Sequence, residues 1–242
     1  MKLFWRIVGV AYKQLILFRR QWMWIAQSLV STVGLVLIFT AWGGVEAARH
    51  MVVVMLVVGG WSVGLNIAAQ TIGWEKVSSE YEKYIASPLT PAEYLLGSVL
   101  GAFVPFFLSE LPLIVAVAAL AGVSLSSLAL VMFLSIVGMF LGLFLSLSIV
   151  LRIKNPMNIS AITNPLQTLT TMLPPVYYSP LALPEPLRSV CVAIPTTVLV
   201  DLGRALSGQA FAYPVWASLL SLLVWLATTA ILMLRKLEWG LE

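Results

Sequence analysis

Six long apolar runs dominate this chain of 242 residues, and they restrict what it can fold into. They cover residues 22–44, 51–72, 94–121, 126–151, 159–178 and 211–234. A helix needs roughly 20 apolar residues to cross a hydrocarbon core of about 30 Å, because each residue adds about 1.5 Å. The runs are too long for barrel strands of about ten residues. The sequence therefore predicts an all-α membrane protein with six transmembrane helices, forming a single domain over residues 1–242.

The distribution of lysine and arginine predicts the orientation of these spans. If the N-terminus is cytoplasmic, eleven of the fourteen basic residues fall on the cytoplasmic side, and only Arg49, Arg188 and Arg204 fall outside. This asymmetry is the positive-inside pattern. We therefore expect a multi-pass protein of the plasma membrane with both termini in the cytoplasm. The net charge of +4 is then explained by topology and requires no nucleic-acid partner.

The first 21 residues are predicted to form an interfacial amphipathic helix. Basic residues recur on one face, including Lys2, Arg6 and Lys13, and apolar residues occupy the other. We expect the basic face to meet lipid headgroups and the apolar face to meet the acyl boundary. A plain cytoplasmic lead-in to the first span is the alternative.

A proline-rich region separates the fifth and sixth runs. Nine of the thirteen prolines lie between residues 155 and 214, and four of them interrupt the moderately apolar stretch 179–210. Proline removes a backbone donor and breaks a helix interior, so one continuous span is disfavoured. The sequence predicts an outer re-entrant helical hairpin over 179–210, with Asp201 and Arg204 on its second helix.

The stretch GWEKVSSEYEKYIASPLTPAEYLLG, residues 73–97, concentrates four glutamates and two lysines between two apolar runs. Wrapped as a helix, residues 75–86 place apolar side chains on one face and charged ones on the other. Pro88 disfavours helical geometry at Ser87 and ends the helix. Thr90 and Glu93 then form a capping-box pattern that starts the third span. Residues 73–90 are thus predicted to be a cytoplasmic segment whose short amphipathic helix, 75–86, is suited to docking on another protein.

This stretch resembles the cytoplasmic loop of ABC-2-type transporter permeases, the membrane subunits of ABC exporters. Ser79 and Glu80 depart from the usual Gly-Thr of that family. A second stretch, PPVYYSPLALPEPLRSVCVAIPTTVLVDLGRAL, is similar to the outer re-entrant segment of the same family. Matching positions in the first stretch are Glu75, Lys76, Glu82, Tyr84, Ile85, Ser87, Pro88, Glu93, Leu95, Leu96 and Gly97.

The resemblance implies that residues 73–90 are a coupling segment seated in a separate ATP-binding subunit. The chain has no G-x-x-x-x-G-K-[ST] phosphate loop, so ATP and Mg would be bound by that partner. Two permease copies, or one copy and a relative, would export an amphipathic or hydrophobic substrate such as a drug, a lipid or a lipid-linked glycan. The chain would have no cofactor or catalytic residue of its own. The coupling interface would comprise Glu75, Lys76, Tyr81, Glu82, Lys83, Tyr84, Ser87 and Pro88.

Several polar side chains within the apolar runs are open to two interpretations. Glu110 could lie on a transport route, because a carboxylate inside a span is costly; alternatively it hydrogen-bonds a neighbour near the outer end of the third span. Asn164 and Gln167 could line the route or satisfy backbone loosened by Pro165. Asp201 and Arg204 could bind substrate, although bracing of the re-entrant hairpin is favoured.

Two other classes of function are considered. An ATP-independent channel or carrier would need no partner ATPase. The pattern GWSVG, residues 60–64, matches a nucleophile elbow, but that elbow requires a strand-to-helix turn and a nearby histidine. The only histidine, His50, falls in the predicted outer loop. The glycines at 59, 60, 64, 138 and 142 are instead expected to permit close helix packing. The lone cysteine, Cys191, excludes an intrachain disulfide and indicates no metal site.

Overall fold

The structure is a computed structural model that describes residues 2–20, 22–78, 80–155, 157–235 and 237. Over these residues the chain is helical and contains no β-strand. The helices are α1 (Lys2–Arg20), α2 (Trp22–Ser62), α3 (Ala69–Val77), α4 (Glu80–Ile85), α5 (Pro91–Leu120), α6 (Leu125–Val150), α7 (Met157–Thr171), α8 (Glu185–Cys191), α9 (Pro195–Leu206) and α10 (Val215–Leu234). A π-helical turn, Val63–Ala68, joins α2 to α3, and a 3₁₀ turn, Pro180–Ala182, precedes α8. The all-α prediction is confirmed for the described residues.

Helix α2 contains a sharp turn at Gly44, where φ is 61° and ψ is −149°. Such a conformation is readily adopted only by glycine. Gln27 and Asn66 line the same cavity, although a straight helix would hold them roughly 58 Å apart. The chain therefore reverses near Gly44, and residues 45–50, predicted to be an outer loop, are helical instead. The helix resumes directly after the turn because one glycine absorbs the change of direction.

Four helices among the described residues are long and apolar enough to cross a membrane, or five if α8 and α9 form one bent span. One of the four is the continuous stretch Ala26–Val77, which contains the Gly44 turn. The others correspond to α5, α6 and α10. The predicted count of six spans is therefore not confirmed, whereas a multi-pass membrane protein is supported.

The predicted fifth span, residues 159–178, is shorter in the structure. Helix α7 has 15 residues and ends at Thr171, so it is roughly 22 Å long. Residues 172–178 have no regular structure. The pair Pro174 and Pro175 cannot donate backbone hydrogen bonds, which explains why the helix does not continue.

Helices α8 and α9 are bent by 95° at the break between them. Pro195 begins α9, a position that proline favours because its fixed φ suits a first helical turn. Two short helices are thus present in residues 179–210, as predicted. Their geometry is compatible with a re-entrant hairpin or a broken span, so the hairpin stays a prediction.

Close helix packing at glycine is confirmed along one face of α6. Gly60 and Gly64 lie against the backbone of Ser135 and Met139, and Gly142 lies against the backbone of Trp61. A side chain at any of these positions would collide with main-chain atoms. Small residues let two helix backbones approach closely, and the resulting van der Waals packing holds transmembrane helices together.

Helix α1 packs along α5, where Gly97 and Gly101 accommodate it. A Cβ atom at Gly101 would lie 2.8 Å from the carbonyl oxygen of Ala11. Residues 2–20 form a helix as expected, while its interfacial position stays a prediction and the expected direction of its basic face is wrong in part. Arg6 and Lys13 do not simply face the headgroups: they form ion pairs with Glu93 and Glu75 of the protein.

Candidate functional site

Residues 73–90, the predicted coupling segment, contain the end of α3 and the short helix α4 instead of the single helix predicted over 75–86. Helix α3 ends at Val77, and Ser78 has the non-helical angles φ −83° and ψ 8°. The Ser78 hydroxyl donates to the carbonyl oxygen of Glu75 at 3.3 Å, and such side-chain bonds compete with helix continuation. Helix α4, which follows, is only six residues long. The predicted start of the third span is confirmed, because Thr90 and Glu93 form a reciprocal capping box on α5.

A group of charged and phenolic side chains fixes this segment to the rest of the protein. Lys13 Nζ of α1 donates to Glu75 Oε1 at 2.8 Å, to Glu80 Oε2 at 2.9 Å and to the Tyr84 hydroxyl at 2.5 Å. The Tyr94 hydroxyl of α5 donates to the other oxygen of Glu75. We call these five residues the Lys13 cluster. It joins α1, α3, α4 and α5 at one end of the molecule.

The Lys13 cluster alters the pKa values of its surface members. Burial lowers the pKa of Lys13, but hydrogen bonds to Glu75, Tyr84 and Glu80 outweigh it and raise the pKa above its ordinary value. The hydrogen bond from Lys13 holds the pKa of Glu80 below its usual range. Burial raises the pKa of Tyr84. The ammonium and the Glu80 carboxylate are therefore both charged near neutral pH, which favours their pairing.

The predicted coupling residues differ in their access to a partner. Glu75 was expected on the outward polar face but is only 4% exposed, because Lys13, Gln14 and Tyr94 hydrogen-bond it inside the protein. Lys76 donates to the carbonyl oxygen of Leu151. Tyr81 is buried, as expected for the apolar face. Tyr84 and Ser87 are half-buried, and the exposed members of the set are Glu82, Lys83 and Pro88.

A cavity of about 310 Å³ lies between the two arms of α2, the π-helical turn and α5. Glu110 lines this space, which we call the Glu110 cavity. Its carboxylate is 2% exposed and accepts a hydrogen bond from the Ser28 hydroxyl at 2.7 Å. The hydrogen bond to a neighbour agrees with one of the two interpretations of Glu110. The other, a place on a transport route, stays a prediction.

A second cavity of about 600 Å³ lies beside the Lys13 cluster. Lys13, Glu75 and Glu80 line it together with Gln70 and Asn164, and we call it the Lys13 cavity. Asn66 and Ile67, both in the π-helical turn, line this cavity and the Glu110 cavity. The π-helical turn thus lies between the two spaces, and such single π turns inside helices are frequent at functional sites.

Helix α7 meets the π-helical turn through a row of amides and hydroxyls. Gln167 donates to the Ser62 hydroxyl at 2.6 Å and accepts from Asn66. Gln70 donates to Thr163 at 2.6 Å and lies 3.3 Å from the side-chain oxygen of Asn164. Gln167 lines the Glu110 cavity, whereas Asn164 lines the Lys13 cavity. The two predicted polar residues of the fifth run are therefore divided between the two spaces.

Asp201 and Arg204 lie at the opposite end of the molecule and line neither cavity. The Asp201 carboxylate accepts from the backbone amides of Ala212 and Tyr213 at 2.9–3.0 Å. Arg204 donates to the carbonyl oxygen of Tyr178 at 2.7 Å and contacts both ring nitrogens of His50. The two side chains are 3.7 Å apart. This geometry fits the bracing role more closely than substrate binding.

The nucleophile-elbow pattern is not assembled into a catalytic group. Ser62 and His50 are separated by 12 positions of α2, which is about 18 Å along a helix. His50 is engaged by Arg204, and Ser62 by Gln167. Ser62 also lies in a helix where the elbow would need a strand-to-helix turn.

Sequence reasoning missed several residues of this site, among them Gln14, Ser28, Asn66, Gln70 and Tyr94. Asn66 and Gln70 are polar residues inside an apolar run, the same signal that identified Glu110. Lys13 was assigned to the headgroups because charge periodicity in α1 cannot reveal a carboxylate 62 positions away.

Long apolar helices with cavities between them define a multi-pass membrane protein. Residues 22–235 match the family model described as ABC-2 family transporter protein. Because this match covers most of the chain, the chain belongs to the ABC-2 transporter family and is a transmembrane permease of the ABC type. Members of that family are normally non-catalytic membrane subunits that work with an ABC ATP-binding partner. Comparison with curated proteins gives no significant match.

Proposed function

We propose that this chain is the membrane-spanning subunit of an ATP-driven exporter that moves an amphipathic or hydrophobic substrate outward. ATP and Mg bind to a separate ATPase subunit, and a second permease copy or a relative completes the assembly. The Lys13 end faces the cytoplasm of a cell with this protein in its plasma membrane. The excess of basic residues on that side supports this orientation.

The observation that carries the proposal is the attachment of α4. Its outward side chains, Glu82 and Lys83, are exposed and available to a partner. On the other side, Tyr81 is buried and Tyr84 and Glu80 are bound to Lys13. A push on the exposed face is therefore delivered to α1, α3 and α5 together, and not absorbed by a loose loop.

The arrangement of the cavities supports a route for the substrate. The Lys13 cavity reaches the surface that carries α4, and the Glu110 cavity lies further along the bundle. Asn66 and Ile67 border both, so a change in the π-helical turn alters the connection between them. Closure of the ATPase subunits biases the helices between two states through differential contacts at α4.

An ATP-independent channel or carrier is the second candidate, favoured by the same pair of adjacent cavities. It needs no motor, so its flux is independent of the α4 surface. The two functions are separated by a substitution on that surface.

The test compares two exposed glutamates at opposite ends of the molecule. Glu82→Lys reverses a charge on α4, and Glu46→Lys makes the same change at a carboxylate that is 77% exposed at the far end. Each variant is co-expressed with an ABC ATPase subunit from the same organism that co-purifies with the unsubstituted chain, and co-purification and ATP-dependent flux in proteoliposomes are measured. We expect Glu82→Lys to reduce both at least tenfold and Glu46→Lys to leave both unchanged.

Equal retention of the ATPase and of ATP-dependent flux in both variants would refute the coupling role of α4. Flux that proceeds at the same rate without ATPase or ATP would instead establish the channel or carrier.

A further inference from the structure

The Glu110 cavity contains a carboxylate whose pairing is incomplete. Ser28 hydrogen-bonds one oxygen of Glu110, while the other oxygen, Oε2, is buried and has no hydrogen-bond partner among the described residues. None of the described residues that line the cavity is Lys, Arg or His. The protein therefore provides no countercharge at this point.

An unpaired carboxylate in this position is costly. Removing an ionised group from water without a compensating charge or a full set of hydrogen bonds is strongly unfavourable, and charged residues within apolar helices are rare for that reason. Among the described residues, six other buried side-chain atoms also lack a hydrogen-bond partner, but Glu110 Oε2 is the one carboxylate oxygen in that group. A cation that enters the cavity would supply the missing partner.

The other residues that line the Glu110 cavity indicate which kind of molecule would fit it. Leu35, Met55 and Val58 form an apolar side, and the Phe106 ring lies on α5 near Glu110. Hydroxyls of Ser31 and Ser109 supply additional polar contacts. A volume of about 310 Å³ is at the lower end of the range for small-molecule sites, roughly 300–1,000 Å³. The walls suit a compact molecule that is mostly apolar and carries one polar end.

The geometry of Glu110 restricts the kind of cation. A divalent metal ion prefers several charged oxygen ligands, and Glu110 is the one carboxylate among the described residues that line the cavity. A guanidinium pairs best with both oxygens of a carboxylate, and the Ser28 hydroxyl already donates to one of them, which leaves a single free oxygen. A protonated amine is a point charge that needs one carboxylate oxygen and a few neighbouring acceptors.

We propose that the Glu110 cavity binds amphipathic molecules that carry a protonated amine, with the Glu110 carboxylate as the counter-ion. The proposal rests on the transport function above and names its substrate class. Ser28 positions the carboxylate, and the apolar arm of α2 and the Phe106 ring enclose the body of the molecule. Ser28 and Ser31 are exposed, so the site is reached from the surface without unfolding of the bundle.

Charge selectivity at an introduced cysteine tests the site without any ATPase. Ser31→Cys is made in a Cys191→Ala background, which removes the only native thiol. The purified permease reacts with a cationic aminoethyl and an anionic sulfonatoethyl methanethiosulfonate, and the ratio of the two rates is measured. Ser126→Cys, an exposed position on the first turn of α6 away from the cavity, is the matched control.

We expect the cation-to-anion rate ratio at position 31 to be about tenfold higher than at position 126, and Glu110→Gln to abolish the difference. Glu110→Asp should keep it, since the charge remains. Addition of 4-phenylbutylammonium should slow the reaction at position 31, while 4-phenylbutanol of the same length should not.

Equal ratios at positions 31 and 126 in protein with Glu110 intact would overturn the proposal, and this comparison stands even if Glu110→Gln fails to fold. An unchanged ratio in folded Glu110→Gln, or equal protection by the amine and the alcohol, would overturn it too. Because no ATPase is present, failure here leaves the coupling of α4 intact, and failure of the Glu82→Lys test leaves the charge selectivity intact.

Discussion

The two ends of the molecule each contain a group of buried or half-buried charges, but the groups are built differently. The Lys13 cluster joins four helices through a lysine whose side chain is 32% exposed. The group at the other end, which we call the Arg204 cluster, consists of Asp201, Arg204 and His50. Backbone groups hydrogen-bond Asp201 and Arg204, and the side chains of these two residues are 2–3% exposed. Along α2 and α3, His50 of the Arg204 cluster and Glu75 of the Lys13 cluster are separated by about 38 Å of helix.

This difference between a partly exposed lysine and a buried arginine suits a protein with one movable end and one fixed end. A lysine ammonium is a point charge on a flexible stem, so Lys13 can keep one of its three partners while it exchanges another. The guanidinium of Arg204 is a rigid fork between a carbonyl, a ring and a carboxylate. We infer that the Lys13 end changes shape when α4 is displaced and that the Arg204 end serves as a fixed support.

The largest effect is expected from Asp201→Ala. The substitution leaves Arg204 buried without its countercharge and leaves the amides of Ala212 and Tyr213 without their acceptor. Breaking a buried pair from one side costs about 3–5 kcal/mol. We expect a loss of that order in the free energy of unfolding, measured by chemical unfolding in mixed micelles.

The matched control for this change is Glu185→Ala. Glu185 and Arg188 form a pair with the same i,i+3 spacing on the neighbouring helix, but the Glu185 side chain is 67% exposed. Exposed pairs contribute about 0–1 kcal/mol. If Asp201→Ala and Glu185→Ala shift the unfolding midpoint equally, the Arg204 cluster is not a rigid support.

A smaller and local effect is expected from Lys13→Met, which removes the ammonium but keeps an unbranched side chain. Glu75 retains its bonds from Gln14 and Tyr94, so the bundle stays folded, while Glu80 and Tyr84 lose their tie to α1. Amide hydrogen exchange should become at least tenfold faster in α4 and remain unchanged in α9. Hydrogen bonds to charged groups contribute about 1.5–3 kcal/mol, which sets this scale.

Lys154→Met is the control, because Lys154 is an exposed lysine at the same end of the molecule. Its exchange pattern should match that of the unsubstituted protein. Uniform acceleration across α4 and α9 in Lys13→Met would mean that the cluster supports the whole fold, and the contrast between the two ends would be lost.

The sequence was most informative where a local rule acts on adjacent residues. Thr90 and Glu93 form the capping box that their spacing predicts, and Gly60, Gly64 and Gly142 lie at backbone contacts as small residues in apolar helices should. The ABC-2 family was indicated by the charged stretch and the proline-rich stretch, and the family match confirms it.

The remaining features depend on contacts that no local pattern contains. The spacing of Glu75 places it on the polar face of its helix, but in the structure it is buried and pairs with Lys13 of α1. The reversal at Gly44 and the π-helical turn at Val63–Ala68 both lie within apolar runs, so hydropathy does not detect them. The position of Glu110 in a cavity required the reversed arm of α2, which brings Ser28 to it.

The smallest expected effect is the pH dependence of the bond between α4 and α1. The pKa of Glu80 is lowered in the folded protein, so its contribution is present above the ordinary carboxyl value of 4.5 and is lost as the pH falls through the lowered pKa. The pKa of Lys13 is raised, so its contribution is present below its ordinary value of 10.5 and is lost as the pH rises through the raised pKa. Protection of the α4 amides, corrected for the intrinsic pH dependence of exchange, should therefore be highest across the neutral range and fall at both extremes, by an amount that reflects at most about 1 kcal/mol for an exposed pair. Glu80→Gln should remove the acid-side change and preserve the alkaline one, because Lys13 still pairs with Glu75. An acid-side change that persists in Glu80→Gln would assign the adjustable contact to another group, and the Lys13 end would lose the property that separates it from the Arg204 end.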